Sequence, residues 1–170
     1  MLGDVSGETS TYLMVLGDRD ALGWVLSTRQ TAFPERRRRD AASLRTGDEL
    51  LVYTTRGCFG NPTRDRGRIV ARAAVAAAAT RDEEPVRFGE RSYPWRCPLD
   101  ITELAPFRTG VVLADHVHSL RLFPKPENWS VYLRRPLVPL ARQDRDFLVG
   151  LLAEHTQPVA EVLPGYPGTG

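Results

Sequence analysis

The side chains best suited to chemistry are concentrated between Gly47 and Arg72. There two apolar runs flank a loop carrying Thr54, Thr55, Arg56, Cys58, Phe59, Asn61, Thr63, Arg64, Asp65, Arg66 and Arg68. Guanidinium groups bind carboxylates and phosphates through a planar fork of donors. The loop therefore suits a polar or anionic ligand, a phosphate for example. The same composition suits a solvated hairpin tip whose Asp65 pairs with its own arginines. Arg36, Arg37, Arg38 and Arg39 form a second cationic run, open to the same two readings: phosphate contact, or a flexible solvated connector. Cys58 with His116 or His118 is conceivable as a nucleophile and base, but no motif fixes their geometry. On a helix His116 and His118 diverge, and no third ligand accompanies them, so neither a metal nor another cofactor is expected.

Composition sets the frame for these groups. At 170 residues, 42% hydrophobic and 26% charged, the chain suits one domain with a real core. The first residues, MLGDVSGETS, are polar and acidic and resemble no signal peptide, and no apolar run is long enough for a membrane helix. The expectation is a cytoplasmic protein with no membrane partner and with Cys58 and Cys97 reduced. Of 23 basic residues only Lys125 is a lysine, which weakens any mechanism needing a catalytic amine. Oligomeric state is not legible.

Several elements must position the loop. Residues 1–10 read as a flexible leader, 11–155 as a single domain, and 156–170, rich in proline and glycine, as an extended or disordered tail. Tyr12 to Leu16 suits a first strand. Asp18 is a good N-cap for an amphipathic helix from Arg19 to Gln30, with Ala21, Leu22, Val25 and Leu26 on one face. Leu50 to Tyr53 reads as a buried strand, and the alternating run from Ile69 to about Ala77 as its return. Thr80 to Ser92 reads as a polar loop with Phe88 in it, Tyr93 to Ile101 as a strand, and Ala114 to Leu120 as a short helix. Trp129 to Leu133 and Leu137 to Leu140 suit strands, and a last helix starts near Gln143. Consecutive strands between helices give an α+β pattern.

In order and spacing these motifs resemble the EVE domain, a member of the PUA-like group related to YTH domains. The resemblance rests on the first strand and helix followed by Gly47-Asp48 leading to Tyr53. It rests also on Tyr93-Pro94-Trp95-Arg96, on Trp129-Ser130-Val131-Tyr132, and on the C-terminal helix after Leu140. It covers residues 11–153. It implies a small curved mixed sheet or barrel of about five to six strands wrapped by helices, with one pocket. In related domains such a pocket receives a modified nucleobase flipped from DNA or RNA. The pocket residues it implies are Asp18, Thr31, Phe33, Tyr53, Thr54, Phe59, Phe88, Trp129 and Ser130. Arg36 to Arg39, Arg56, Arg64 and Arg66 would hold phosphates. The chain departs from the family at Thr31-Ala32, where a Trp-Gly pair usually supplies a pocket wall. Phe33 or Phe59 is the expected replacement.

The leading expectation is a non-enzymatic reader of a modified base in nucleic acid. A binder of a nucleoside or small anionic metabolite is the alternative. A third possibility is a small amidohydrolase, as in another PUA-like branch, using Thr54, Thr55 and Glu49, but Lys125 lies in a proline-flanked loop away from them.

Overall fold

The computed structural model describes residues 8–169. β1 (Thr11–Leu16) leads into α1 (Arg19–Thr28) and β2 (Gln30–Phe33). A 3₁₀ turn (Glu35–Arg37) and α2 (Arg38–Ser43) then lead to β3 (Glu49–Thr54) and β4 (Arg68–Val75). β5 (Thr80–Phe88), β6 (Arg91–Leu104) and β7 (Val111–Val112) follow, then 3₁₀ segments Leu113–Ser119 and Pro126–Leu133. β8 (Leu137–Leu140), α3 (Arg142–Ala153) and α4 (Val159–Val162) complete the order. The strands form one curled, mixed eight-stranded sheet with the path β2-β6-β4-β3-β1-β8; β5 pairs with β6 and β7 with β4. β1 and β3 run parallel, joined by the α1–β2–α2 crossover, and the other pairs are antiparallel. This is the α+β architecture expected.

Both faces of the central strands are covered. Met14, Leu50 and Val52 join Leu22, Leu26, Phe33, Val70 and Leu104 in one core. Leu13, Leu51 and Tyr53 join Ile69, Leu113, Val117, Leu148 and Leu152 in the other. Strand side chains alternate between faces, so a strand buried on both sides must be apolar without interruption. That accounts for the run Leu50 to Tyr53.

The Gly47-Asp48 pair is a structural turn. Gly47 adopts φ +92°, a left-handed conformation that glycine takes without a Cβ penalty. The Asp48 carboxylate accepts from the N–H of Ser10 (3.0 Å) and of Arg45 (2.8 Å). Ser10 is thus pinned to β3; residues 1–7 of the expected leader lie outside the described residues.

The structure revises several expectations. α1 ends at Thr28, with Arg29 at φ +59°, and Thr31 and Phe33 belong to a four-residue strand. That strand is specified by its pairing with Trp95 to Pro98 rather than by its own periodicity. Thr80 to Phe88 is a strand, not a loop. It lies at the sheet edge with mostly exposed side chains, and the ladder breaks between Arg81 and Val86, which accommodates Pro85. β4 stops at Val75, short of Ala77. Trp129 to Leu133 is 3₁₀ helix rather than strand, and the Arg36–Arg39 run is helical rather than a flexible connector.

The tail from Thr156 also departs from the expected extended or disordered chain. It forms α4 and then buries Tyr166, whose ring is 3% exposed and whose hydroxyl donates to Ala105 O at 2.5 Å. Beyond it, Pro167 and Gly168 lie against Gly23 of α1. A Cβ at Gly23 would stand 2.9 Å from the Pro167 carbonyl oxygen.

A charged network ties α3 to the sheet. Glu49 accepts from Arg72 Nε (2.6 Å), Arg145 Nε (2.7 Å) and a second Arg145 nitrogen (3.1 Å), and Arg72 also reaches Glu103 (3.2 Å). Burial works to raise the Glu49 pKa, but hydrogen bonds from Arg145 and Arg72 prevail and hold it below the ordinary 4.5. A depressed carboxylate stabilises the fold above its unfolded pKa and loses that contribution as pH falls through the folded value. Glu49→Gln should therefore cost about 1–3 kcal/mol at pH 7. In urea unfolding the gap from wild type should shrink as pH drops below 4.5. A gap unchanged from neutral to strongly acid pH would show that this carboxylate's charge contributes nothing.

Two candidate grooves at the ends of the parallel strands

Two grooves open beside the C-terminal ends of β1 and β3. The first, about 280 Å³, lies between the β1–α1 junction, β2 and the β5–β6 hairpin. Thr31 and Phe33 contribute from β2, at 2% and 1% exposure, so they form floor rather than wall. The wall is an aromatic chain. Trp24 of α1 stands edge-on to Phe88 with centroids 6.0 Å apart, and Phe88 lies 5.4 Å from Tyr93. Edge-to-face and tilted contacts of this length are favourable ring geometries.

Asp18 stands at this groove between β1 and α1. One carboxylate oxygen accepts from the Asp20 N–H at 2.8 Å, capping α1, and the other has no hydrogen-bond partner among the described residues. The cap and a ligand contact are therefore compatible. Arg36, Arg37, Arg91 and Arg134 rim the opening. The turn carrying Arg36 and Arg37 is held by Glu35, which accepts from Trp95 Nε1 at 2.5 Å and from Arg81 at 3.2 Å. The Trp95 hydrogen bond leads in drawing the Glu35 pKa down. Arg96 is occupied structurally, donating to Glu84 O (2.7 Å) and pairing with Asp82 (3.4 Å).

The second groove, about 810 Å³, lies between the β3–β4 loop and the 3₁₀ segment Pro126–Leu133. Tyr53, Arg56, Arg64, Arg66, Trp129 and Ser130 line it. Tyr53 is 3% exposed and its hydroxyl packs over Gly67, where any Cβ would collide with it. Burial pushes that hydroxyl up to about 12, against an opposing pull from Arg56.

The residues expected in one pocket are thus divided. Asp18, Thr31, Phe33, Phe88, Arg36 and Arg37 meet at the first groove; Tyr53, Trp129, Ser130, Arg56, Arg64 and Arg66 meet at the second. Arg38 and Arg39 lie on α2 and line neither. Thr54 is buried, donating to Arg68 O at 3.4 Å. Phe59 packs on Phe107 at 4.8 Å, so it does not supply the missing wall. The aromatic residue that α1 brings to the first groove is Trp24, which no sequence motif singles out. Tyr93, legible in the sequence only as part of a strand motif, completes the aromatic chain there.

Groups available for covalent chemistry are poorly disposed. Cys58 is buried, and burial, with Asp18 and Asp65 nearby, pushes its thiol up to about 12. His116 packs edge-on to Phe147 at 5.6 Å. Lys125 lines neither groove. Among the described residues no group of three or more His, Cys, Asp or Glu side chains could hold a metal ion, and no helix is long and apolar enough to cross a membrane.

The sequence matches no family model and is similar to no curated protein. The fold, however, has clear counterparts among solved structures, YTH domains and human THYN1 among them. The Mmi1 YTH domain in complex with RNA aligns with TM-score 0.59 at 7% identity, over 86% of this chain and 79% of that one. The YTH domain of Zygosaccharomyces rouxii MRB1, in complex with N6-methyladenosine RNA, aligns with TM-score 0.55 at 11% identity, over 89% and 91%. Human THYN1, in complex with DNA containing 5-methylcytosine, aligns with TM-score 0.53 at 13% identity, over 84% and 97%.

Proposed function

We propose that this protein is a non-enzymatic nucleic-acid-binding domain of the EVE kind, which takes a modified base turned out of DNA or RNA into the first groove. One observation carries the reading. One small groove joins the Trp24–Phe88–Tyr93 face, an Asp18 carboxylate oxygen with no partner among the described residues, and a rim of arginines. Aromatic faces stack a base, a carboxylate accepts from an N–H on its edge, and arginines hold the flanking phosphates. The volume of about 280 Å³ lies at the lower bound of small-molecule sites, about 300–1,000 Å³, which suits one base better than a dinucleotide cofactor. Turning a base out costs a few kcal/mol, whereas stacking returns about 1–3 kcal/mol. Stacking alone barely balances that cost, so phosphate contacts must supply net affinity. Solved domains of this fold that hold N6-methyladenosine RNA or 5-methylcytosine DNA support the reading.

The test is a thermal-shift panel of oligonucleotides, unmodified, cytosine-modified and adenine-modified, with the free nucleosides, at low and physiological salt. A shift selective for one modification and persisting at physiological salt is expected. Asp18→Asn retains a capping side chain but replaces an acceptor oxygen by a donor. It should leave the melting temperature within about 1 °C and abolish the preference. A shift with nucleosides and none with oligonucleotides would replace this reading with a small-molecule binder.

A further inference from the structure

We propose that the second groove carries the nucleotides flanking the inserted base, with Arg56 and Arg64 on their phosphates and Trp129 stacked against a neighbouring base. The proposal rests on the first-groove reading for the path of the strand, while phosphate capture by the loop stands on its own geometry.

The β3–β4 loop is a built surface rather than a solvated tip. Successive turns close it, with Cys58 N–H donating to Thr55 O (3.0 Å), Gly60 N–H to Gly57 O (3.0 Å) and Asp65 N–H to Asn61 O (2.9 Å). Cys58 is buried beneath it and Phe59 anchors it against Phe107. Its acid does not neutralise its own arginines: Asp65 pairs with Arg108 at 3.7 Å, outside the loop. Arg66 is engaged by Asp115 at 2.8 Å. Arg56 and Arg64 are exposed and have no carboxylate partner among the described residues. Two unpaired forks thus face a groove whose opposite wall carries the half-buried indole of Trp129. Cations tracking a backbone beside an aromatic platform are the means by which single strands are bound without sequence preference.

The two grooves are also contiguous. The Thr55 N–H donates to Leu16 O at 3.0 Å, and Gly17 of the first groove lies against the Thr55 side chain of the second. Leu133 lines the second groove and the next residue, Arg134, the first. The grooves thus adjoin at the ends of β1 and β3 while facing opposite sides of the sheet, so a strand leaving the first groove reaches the second by rounding those strand ends.

The test is fluorescence anisotropy of the full chain with single-stranded DNA and RNA oligonucleotides, with and without the modification selected above, across a salt series. Each phosphate contact on a single strand contributes about −0.7 to the slope of log K against log salt. The double variant Arg56→Gln with Arg64→Gln, at exposed positions, should reduce that slope by about 1.4 and weaken low-salt binding roughly tenfold. It should leave the ratio of modified to unmodified affinity unchanged. The arm in which the slope falls identifies the strand as DNA, RNA or both. An unchanged slope in both arms overturns the proposal, as does a wild type that binds no oligonucleotide. A reduced slope in a protein without any modification preference upholds the loop site while removing the first-groove reading, so the two failures are distinguishable.

Discussion

Trp24→Ala should lower affinity for the preferred modified oligonucleotide by about 1–3 kcal/mol, roughly 5- to 150-fold at physiological salt. The indole stands at the first groove, edge-on to Phe88 at 6.0 Å, and its loss removes both a stacking face and the support of the ring beside it. Arginine contacts to phosphate are untouched, so the salt slope should stay as in wild type. Trp24→Phe keeps an aromatic face and should recover much of the loss. Trp24 is half-buried, so a folded spectrum and a thermal midpoint must accompany the titration. Unaltered discrimination between modified and unmodified strands in folded Trp24→Ala would remove Trp24 from the reading of the base.

Tyr166→Ala should destabilise the domain by about 3–5 kcal/mol, the usual cost of deleting a fully buried aromatic side chain. The ring is 3% exposed, packs edge-on to Phe107 at 5.6 Å, and closes one core together with Val162. Tyr166→Phe separates the contributions. It keeps the packing and leaves the Ala105 carbonyl without its donor, for about 1–2 kcal/mol. Chemical denaturation of the two variants measures both. A loss below about 1 kcal/mol in Tyr166→Ala would mean that the tail only rests on the domain.

The legible parts of this chain are those whose order is local. β1, β3 and β8 carry uninterrupted or alternating apolar residues, and α3 repeats Leu148 and Leu152 on one face. β2 and β5 were not legible because their partner specifies them. Four residues cannot display a period, and an edge strand with mostly exposed side chains is as polar as a loop in composition. The tail was hidden by its prolines and glycines, which signal turns but not whether a lone tyrosine between them is buried. In the candidate site, Asp18 and Phe88 were visible as residue types, yet Trp24 sat beside the stripe Leu22, Val25 and Leu26 and looked like its margin. The division into two grooves depends on which face each residue takes. Tyr53 belongs with Leu51, on the side away from Met14 and Val52.

The contact between Gly23 and Pro167–Gly168 has a consequence for how the protein is made. The helix that presents Trp24 is synthesised early, but the carbonyls that back it belong to residues 167 and 168. Synthesis proceeds from the N-terminus at about 5–20 residues per second, so on a nascent chain the first groove waits several seconds for its backing. Pairing across so long a separation is slow to nucleate. Binding competence should therefore appear only once residues 167 and 168 have been synthesised and have left the ribosome.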